Sequence, residues 1–310
     1  MDTKFLLSLI CGICILYPAH AQALEIGAAW YGNSGMAKRI MGGFEERMSE
    51  IAPDAKIETR PDLADVDALE ASIADFEQSK DGMLILRSNG AKYLGENPTT
   101  KPAFIGASNN PEFLGAVDDM NNPDKNFTGV TYHIPYEIRL SIVSEVVPDG
   151  NVLIMLEEGH PGAPVDEKGS NEACPKVGLN CTVKKYNNID EAVADVKAMQ
   201  EQFDAFVIGS QAELIDNTAQ IIDVSGSKPV FGFTKAPVEK GAVAGYVAGD
   251  HKLGRMLADS VAEVLIDGKD VSEVPVKTDP SPVLFVNANT IAELGVNIPL
   301  DIMNTAEIIE

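Results

Sequence analysis

From Leu24 onward, short apolar runs alternate with stretches whose apolar residues recur at helical spacing, and they do so along the whole chain. Leu24–Trp30 is one such run, broken by Gly32-Asn-Ser-Gly35. Met36, Ile40, Phe44, Met48 and Ile51 then fall on one side of a helix. Ala55–Thr59, Gly82–Leu86, Pro102–Ala107 and Phe127–Tyr132 read as further strands, and Val66, Leu69, Ile73 and Phe76 mark a second helix. Strands apolar on both faces belong to parallel sheets covered by helices on both sides. A second series begins with a helix over Pro135–Val147, its apolar side formed by Ile138, Ile142, Val143 and Val146. Strands follow at Asn151–Leu156, Val183–Tyr186, Phe203–Ile208, Pro229–Phe233, Val243–Val247 and Val283–Val286. Helices are predicted at Ile189–Gln202, Ala212–Ile222, Asp250–Ile266 and Asn289–Leu294, and the Gly- and Pro-rich Glu157–Lys176 is predicted as a loop. The fold class expected is therefore α/β, with two doubly wound parallel-sheet lobes, although no residue-level repeat links the halves.

The first residues have a different character. Lys4 precedes an almost uninterrupted apolar run, Phe5–Tyr17, and Ala19-His-Ala21-Gln-Ala23 supplies small residues at A-x-A spacing. This is the pattern of a cleaved secretory signal, with cuts possible after Ala21 or Ala23. The run is too short to span a membrane as a helix. Neither Cys11 nor Cys14 follows the small residue that a lipoprotein cut prefers, so the expected product is free in the periplasm of a Gram-negative cell. Residues 1–23 are assigned to this signal. Export leaves Cys174 and Cys181 in an oxidising compartment, where they are expected to pair. The net charge of −23 argues against nucleic-acid partners and anionic membrane surfaces. No metal-ligand spacing and no cofactor motif is visible.

The second half resembles a known family. The residues that carry the likeness are Lys228-Pro-Val-Phe-Gly-Phe-Thr234, Glu239-Lys-Gly-Ala242, Gly249-Asp-His-Lys-Leu-Gly254-Arg, Asp267-Gly-Lys269, Val274-Pro275, Phe285-Val-Asn287 and Leu294-Gly-Val-Asn-Ile-Pro299. Earlier matches are Gly43-Phe44 and Lys101-Pro-Ala-Phe through Asn126-Phe-Thr-Gly-Val130. Their order resembles the ABC-transporter substrate-binding proteins of the tryptophan/tyrosine type. That resemblance implies a type I periplasmic binding protein fold: two lobes, a three-segment hinge and ligand held between them. The crossings are expected near Tyr132–Pro135, Ala248–Asp250 and Val274–Val276. Lobe 1 would then hold residues 24–131 plus about 249–274, and lobe 2 residues 132–248 plus about 275–310. The implied partners are a small-molecule ligand and an ABC permease of the inner membrane, with the receptor itself a monomer.

Ligands of open parallel sheets sit beyond the carboxyl ends of the strands. In the first lobe that rule selects Trp30, Tyr31, Asn33, Ser34, Arg87, Ser88, Asn89, Ser108 and Asn109. The first crossing adds Tyr132 and His133, and the second lobe adds Glu157, Glu158, His160, Ser210, Gln211, Thr234 and Lys235. Asp250 opens a helix at the second crossing. Ser34 and Asp250 suit helix caps equally well, Trp30 suits either stacking or core packing, and Arg87 could clamp a carboxylate in a two-pronged grip. Against the family, this chain has Lys235-Ala236 where an acidic residue is common, and Arg87 where the residue is commonly small or neutral. Both changes favour an anionic ligand. No Gly-x-Ser-x-Gly elbow or His-Glu-x-x-His helix is present. The expected function is thus an exported receptor delivering a small organic ligand to an ABC importer. A sensor feeding a membrane kinase or chemoreceptor is the alternative, and an exported enzyme is a third reading.

Overall fold

A computed structural model describes residues 23–310; the signal assigned to residues 1–23 lies outside them but for Ala23. Lobe 1 opens with β1 (Glu25–Tyr31), α1 (Gly35–Ile51), β2 (Lys56–Leu63), α2 (Val66–Ser79), β3 (Gly82–Leu86), α3 (Ser88–Glu96), β4 (Ala103–Ser108) and β5 (Phe127–Thr131). Lobe 2 follows with α4 (Tyr136–Val146), β6 (Asn151–Glu157), α5 (Ala163–Ala173), β7 (Asn180–Tyr186), α6 (Ile189–Met199) and β8 (Ala205–Ile208). It continues through α7 (Ala212–Asp216), α8 (Thr218–Ser225), β9 (Val230–Gly232), α9 (Lys235–Glu239) and β10 (Ala244–Val247). The chain then returns to lobe 1 for α10 (Asp250–Leu265) and β11 (Lys277–Thr278). It ends in lobe 2 with β12 (Val283–Asn287), α11 (Ala288–Leu294), α12 (Leu300–Met303) and β13 (Glu307–Ile309).

The first sheet runs β11-β5-β4-β3-β1-β2, every pair parallel. The second runs β13-β12-β10-β9-β8-β6-β7. Helices cover both faces. In lobe 1, Ile26, Ala28 and Trp30 on one face of β1 join Ile40, Phe44 and Leu257 from α1 and α10 in one core. Ala29 and Tyr31, on the opposite face, join Leu69, Ile73 and Phe76 of α2 in another. This is the period-two alternation of a strand buried on both sides. α1 and α10 meet backbone to backbone: a Cβ on Gly254 would lie 2.0 Å from the Ile40 carbonyl oxygen, so only glycine permits this approach. In lobe 2, Cys174 and Cys181 form a disulfide that ties the turn after α5 to β7.

Several sequence expectations need correction. Glu157–Lys176 is not all loop, because α5 occupies its middle. Pro164 sits in the first turn, where a missing N–H costs nothing, and the buried face is built mostly of small residues that leave little hydrophobic signal. On α4, Ile138 is 37% exposed and Arg139 is the buried residue beside it, at 3%. β12 pairs antiparallel with β10, so the second sheet is mixed. The third crossing lies after Thr278 rather than at Val274–Val276. The Val276 N–H bonds to the Met120 carbonyl at 2.8 Å, and Lys277–Thr278 adds to β5, so lobe 1 keeps the chain that far. The chain passes between sheets at residues 132–135, 248–249 and 279–282.

Candidate functional site

The carboxyl ends of the strands from both lobes face each other across a cleft of about 360 Å³. From lobe 1 come Asn33 and Ser34 after β1, Arg87, Ser88 and Asn89 after β3, and Ala107 near the end of β4. The first crossing contributes Tyr132, and lobe 2 contributes His160, Ser210, Thr234 and Lys240.

Arg87 is the most unusual of these residues. Its φ is +76° and its ψ 161°, a region of backbone space that is essentially confined to glycine and costs a side chain about 1–3 kcal/mol. The half-buried guanidinium reaches back to the Tyr31 carbonyl oxygen through Nη1. Gly32 makes room for it: a Cβ there would stand 2.5 Å from Nη1. Burial pulls the Arg87 pKa below its ordinary value, with smaller opposing pulls from Tyr31, Tyr132 and Glu157. The group nonetheless stays cationic, as guanidinium does in proteins. Among the described residues, no carboxylate oxygen lies within 4.0 Å of it. The other cleft cations are engaged. Lys38 pairs with Asp62 at 2.6 Å, Arg39 with Asp250 at 2.7 Å and Lys240 with Asp216 at 3.7 Å. Four cations and one carboxylate line this cleft in a chain whose net charge is −23.

Lobe 2 presents a different arrangement. Asp166, in the first turn of α5, is fully buried. Its carboxylate accepts from Asn109 Nδ2 at 3.0 Å, Tyr136 Oη at 2.5 Å, the Ser210 N–H at 2.9 Å, Ser210 Oγ at 2.6 Å and Gln211 Nε2 at 2.6 Å. The helix N-terminus adds favourable dipole. Asn109 belongs to lobe 1, so this carboxylate also clasps the lobes together. A second contact reinforces the clasp, with Lys168 of α5 standing 3.9 Å from the ring centroid of Phe113 in lobe 1. Tyr132 Oη donates to Ser210 Oγ at 3.3 Å, and burial, then the Asp166 charge, pushes the phenol up to about 12. His160 accepts the Gly162 N–H on Nδ1 at 3.0 Å, and burial, then the Arg87 charge, lowers it to about 4. Its imidazole is therefore neutral at pH 7.

The strand-end residues divide by side-chain direction. Trp30 does not line the cleft: it is 1% exposed in the lobe 1 core, and its indole donates to Asp62 at 3.2 Å. Tyr31 gives its carbonyl to Arg87 and its ring to the α2 side. Ser34 caps α1, accepting the Ala37 N–H at 3.2 Å. Asp250 lies one residue inside α10 and pairs with Arg39, and burial raises its pKa. Ser108 bonds to the Asn109 carbonyl, while Asn109 and Gln211 serve Asp166. Glu157 turns back to the N–H of Glu213 at 3.4 Å, and Glu158 pairs its N–H with β7. His133 packs between Phe113 and Tyr136, and burial, then Arg139, lowers it to about 4. Lys235 and Asp250 line a larger, hinge-side cavity of about 470 Å³. Lys235 pairs there with Glu239 at 3.1 Å and Lys252 with Asp279 at 2.5 Å, so its lysines are matched, whereas Arg87 in the strand-end cleft is not. The sequence reading missed Asp166 and Arg139. Arg139 donates to the Tyr132 and Phe233 carbonyls at 3.1 and 3.3 Å and sits among the rings of Tyr132, Tyr136 and Phe233. The Gly-x-Pro before an acidic residue at Gly162–Asp166 was the available signal for α5.

Comparison with known proteins agrees with this geometry. A sequence model of the family described as ABC transporter substrate binding protein matches residues 37–309. The tyrosine-binding protein of Clostridioides difficile strain R20291 is 18% identical over 261 residues, 83% of this chain and 75% of that one. A conserved domain protein from Vibrio cholerae has a solved structure that superposes with a TM-score of 0.81 at 18% identity, covering 93% of this chain and 100% of that one. An ABC domain from Streptococcus pneumoniae, solved in complex with L-Trp, gives 0.80 at 19% identity, with 93% and 100% covered. Two α/β lobes built on parallel sheets, the second with an antiparallel β10–β12 pair, joined by three crossings make this the type I periplasmic binding protein fold. The chain belongs to the ABC transporter substrate-binding proteins, extracytoplasmic receptors that hold a small molecule between two lobes and present it to a membrane permease.

Proposed function

We propose that this receptor captures a compact organic anion in the strand-end cleft, with Arg87 gripping the acid group. It then delivers the ligand unchanged to an inner-membrane ABC permease. In this reading it is a monomer, released by signal cleavage into a Gram-negative periplasm. The observation that carries the proposal is the Arg87 guanidinium, half-buried in the cleft, held on a carbonyl and carrying no carboxylate partner among the described residues. Desolvated cations of this kind bind carboxylates with short, charge-assisted hydrogen bonds. The strain at its φ supports the same reading, because backbone strain persists where the surrounding structure holds a residue in place for use. The named relatives take tyrosine or L-Trp, each of which also carries a carboxylate.

Closure would bring the Arg87 wall and the Ser210–Thr234 wall onto the ligand together. The closed shape is then what a permease reads, since ligand shifts an open–closed equilibrium by its extra contacts in the closed state. A thermal-shift screen over organic acids should identify a ligand, because molecules that bind only the folded state raise its melting temperature. Arg87→Ala should then weaken that ligand at least tenfold by calorimetry, about 1.4 kcal/mol. An unchanged Kd would remove Arg87 from the site.

A further inference from the structure

We infer that the anion this cleft takes carries no ammonium beside its acid group: the substrate class is a 2-hydroxy, 2-oxo or simple carboxylic acid rather than an α-amino acid. The inference rests on the proposal that Arg87 holds the acid group. In an α-amino acid the ammonium lies one carbon from the carboxylate, so a grip on the carboxylate brings the ammonium into the field of the guanidinium. In a half-buried cleft that repulsion is weakly screened. A carboxylate with free lone pairs would be needed to offset it.

The more buried carboxylates nearest the cleft already have cation or donor partners. Asp216, the one carboxylate in its lining, stands 3.7 Å from Lys240 with its side chain 71% exposed, so water and that lysine already screen its charge. Asp250 is held by Arg39 at 2.7 Å and Asp62 by Lys38 at 2.6 Å. Asp166 is fully buried and accepts five hydrogen bonds from protein donors, which exceeds the about four lone-pair sites of a carboxylate. Glu157 does not line the cleft, and its carboxylate is turned away towards the Glu213 N–H, a long contact of 3.4 Å. The neutral groups, in contrast, have capacity. Thr234 lines the cleft at 6% exposure, and its Oγ1 has no partner among the described residues. A buried hydroxyl without a partner is costly, and a ligand hydroxyl or keto oxygen supplies one. Asn89 of lobe 1 adds an amide to the same wall as Arg87.

The test uses matched sets on the purified exported protein, read by calorimetry and thermal shift. Each set holds an acid, its α-amino counterpart and its primary amide: 3-phenyllactate with L-phenylalanine, indole-3-lactate with L-tryptophan, and 2-oxoglutarate with L-glutamate. In at least one set the acid should bind at least tenfold more tightly than both the amino acid and the amide. An amino acid that matches its acid, while the amide fails, overturns this inference and leaves the anion receptor standing. An amide that binds as well as the acid, or silence from every member, overturns both. Glu157→Gln should leave the affinity for the acid unchanged. A loss confined to amino acids in that variant would make Glu157 an ammonium receptor and overturn the inference independently.

Discussion

The two walls of the cleft use charge in opposite ways. Lobe 1 presents Arg87, a cation held by one carbonyl in a strained backbone and unmatched by any described carboxylate. Lobe 2 presents Asp166, an anion buried behind the wall and saturated by protein donors. One charge is kept available and the other is spent on architecture. A receptor that must both close and discriminate can separate those tasks in this way: the satisfied carboxylate preorganises the lobe, and the unsatisfied guanidinium chooses the ligand.

If this division is right, damage to the two charges should appear in different measurements. Asp166→Ala orphans several buried donors and should lower the unfolding free energy by about 3–4 kcal/mol in urea titrations, with Asp166→Asn costing less. Unchanged stability with lost ligand affinity would break the division. The next effect concerns His133 and His160, both lowered by burial from 6.5 to about 4. Between those values the unfolded chain binds protons that the folded chain refuses, so stability falls as pH drops from 6.5 towards 4. The slope is up to about 1.4 kcal/mol per pH unit for each histidine. His160→Gln should flatten it in urea melts at pH 7, 6 and 5, whereas an unaltered slope would place the His160 imidazole in solvent. The smallest effect separates strain from binding in lobe 1. Arg87→Gly should stabilise the protein by about 1 kcal/mol relative to Arg87→Ala, because only glycine is relaxed at that backbone geometry. Ligand affinity should fall equally in both variants.

Much of the architecture could be read from residue pattern. Gly82–Leu86 is apolar throughout and is a central strand over that same span, and the helical spacing from Met36 to Ile51 is α1. Such segments declare themselves because burial on both faces leaves no polar residue to confuse the period. The candidate site was less legible, for two physical reasons. The end of a strand locates a residue but not its face: Trp30 shares parity with Ile26 and Ala28 and so enters the core, one position before the carbonyl that holds Arg87. The clasp depends on α5, whose buried residues are Ala163, Val165, Asp166, Gly169, Ser170 and Ala173, with Val165 the one large apolar side chain, too little to signal a helix beside glycine and proline. Arg139 was hidden for a related reason. A charged residue on a helix reads as solvated, and only the tertiary structure shows the carbonyls and rings that receive it.

α5 carries Asp166 near its start, and Cys174, in the turn at its far end, is bridged to Cys181 on β7. The bridge therefore fixes the tail of the helix whose head grips Asn109, Ser210 and Gln211. Thiol oxidation thus completes the brace on the helix that carries the clasp. Chains that still carry two thiols hold the clasp by packing alone, and the fully braced receptor arises only where disulfides form.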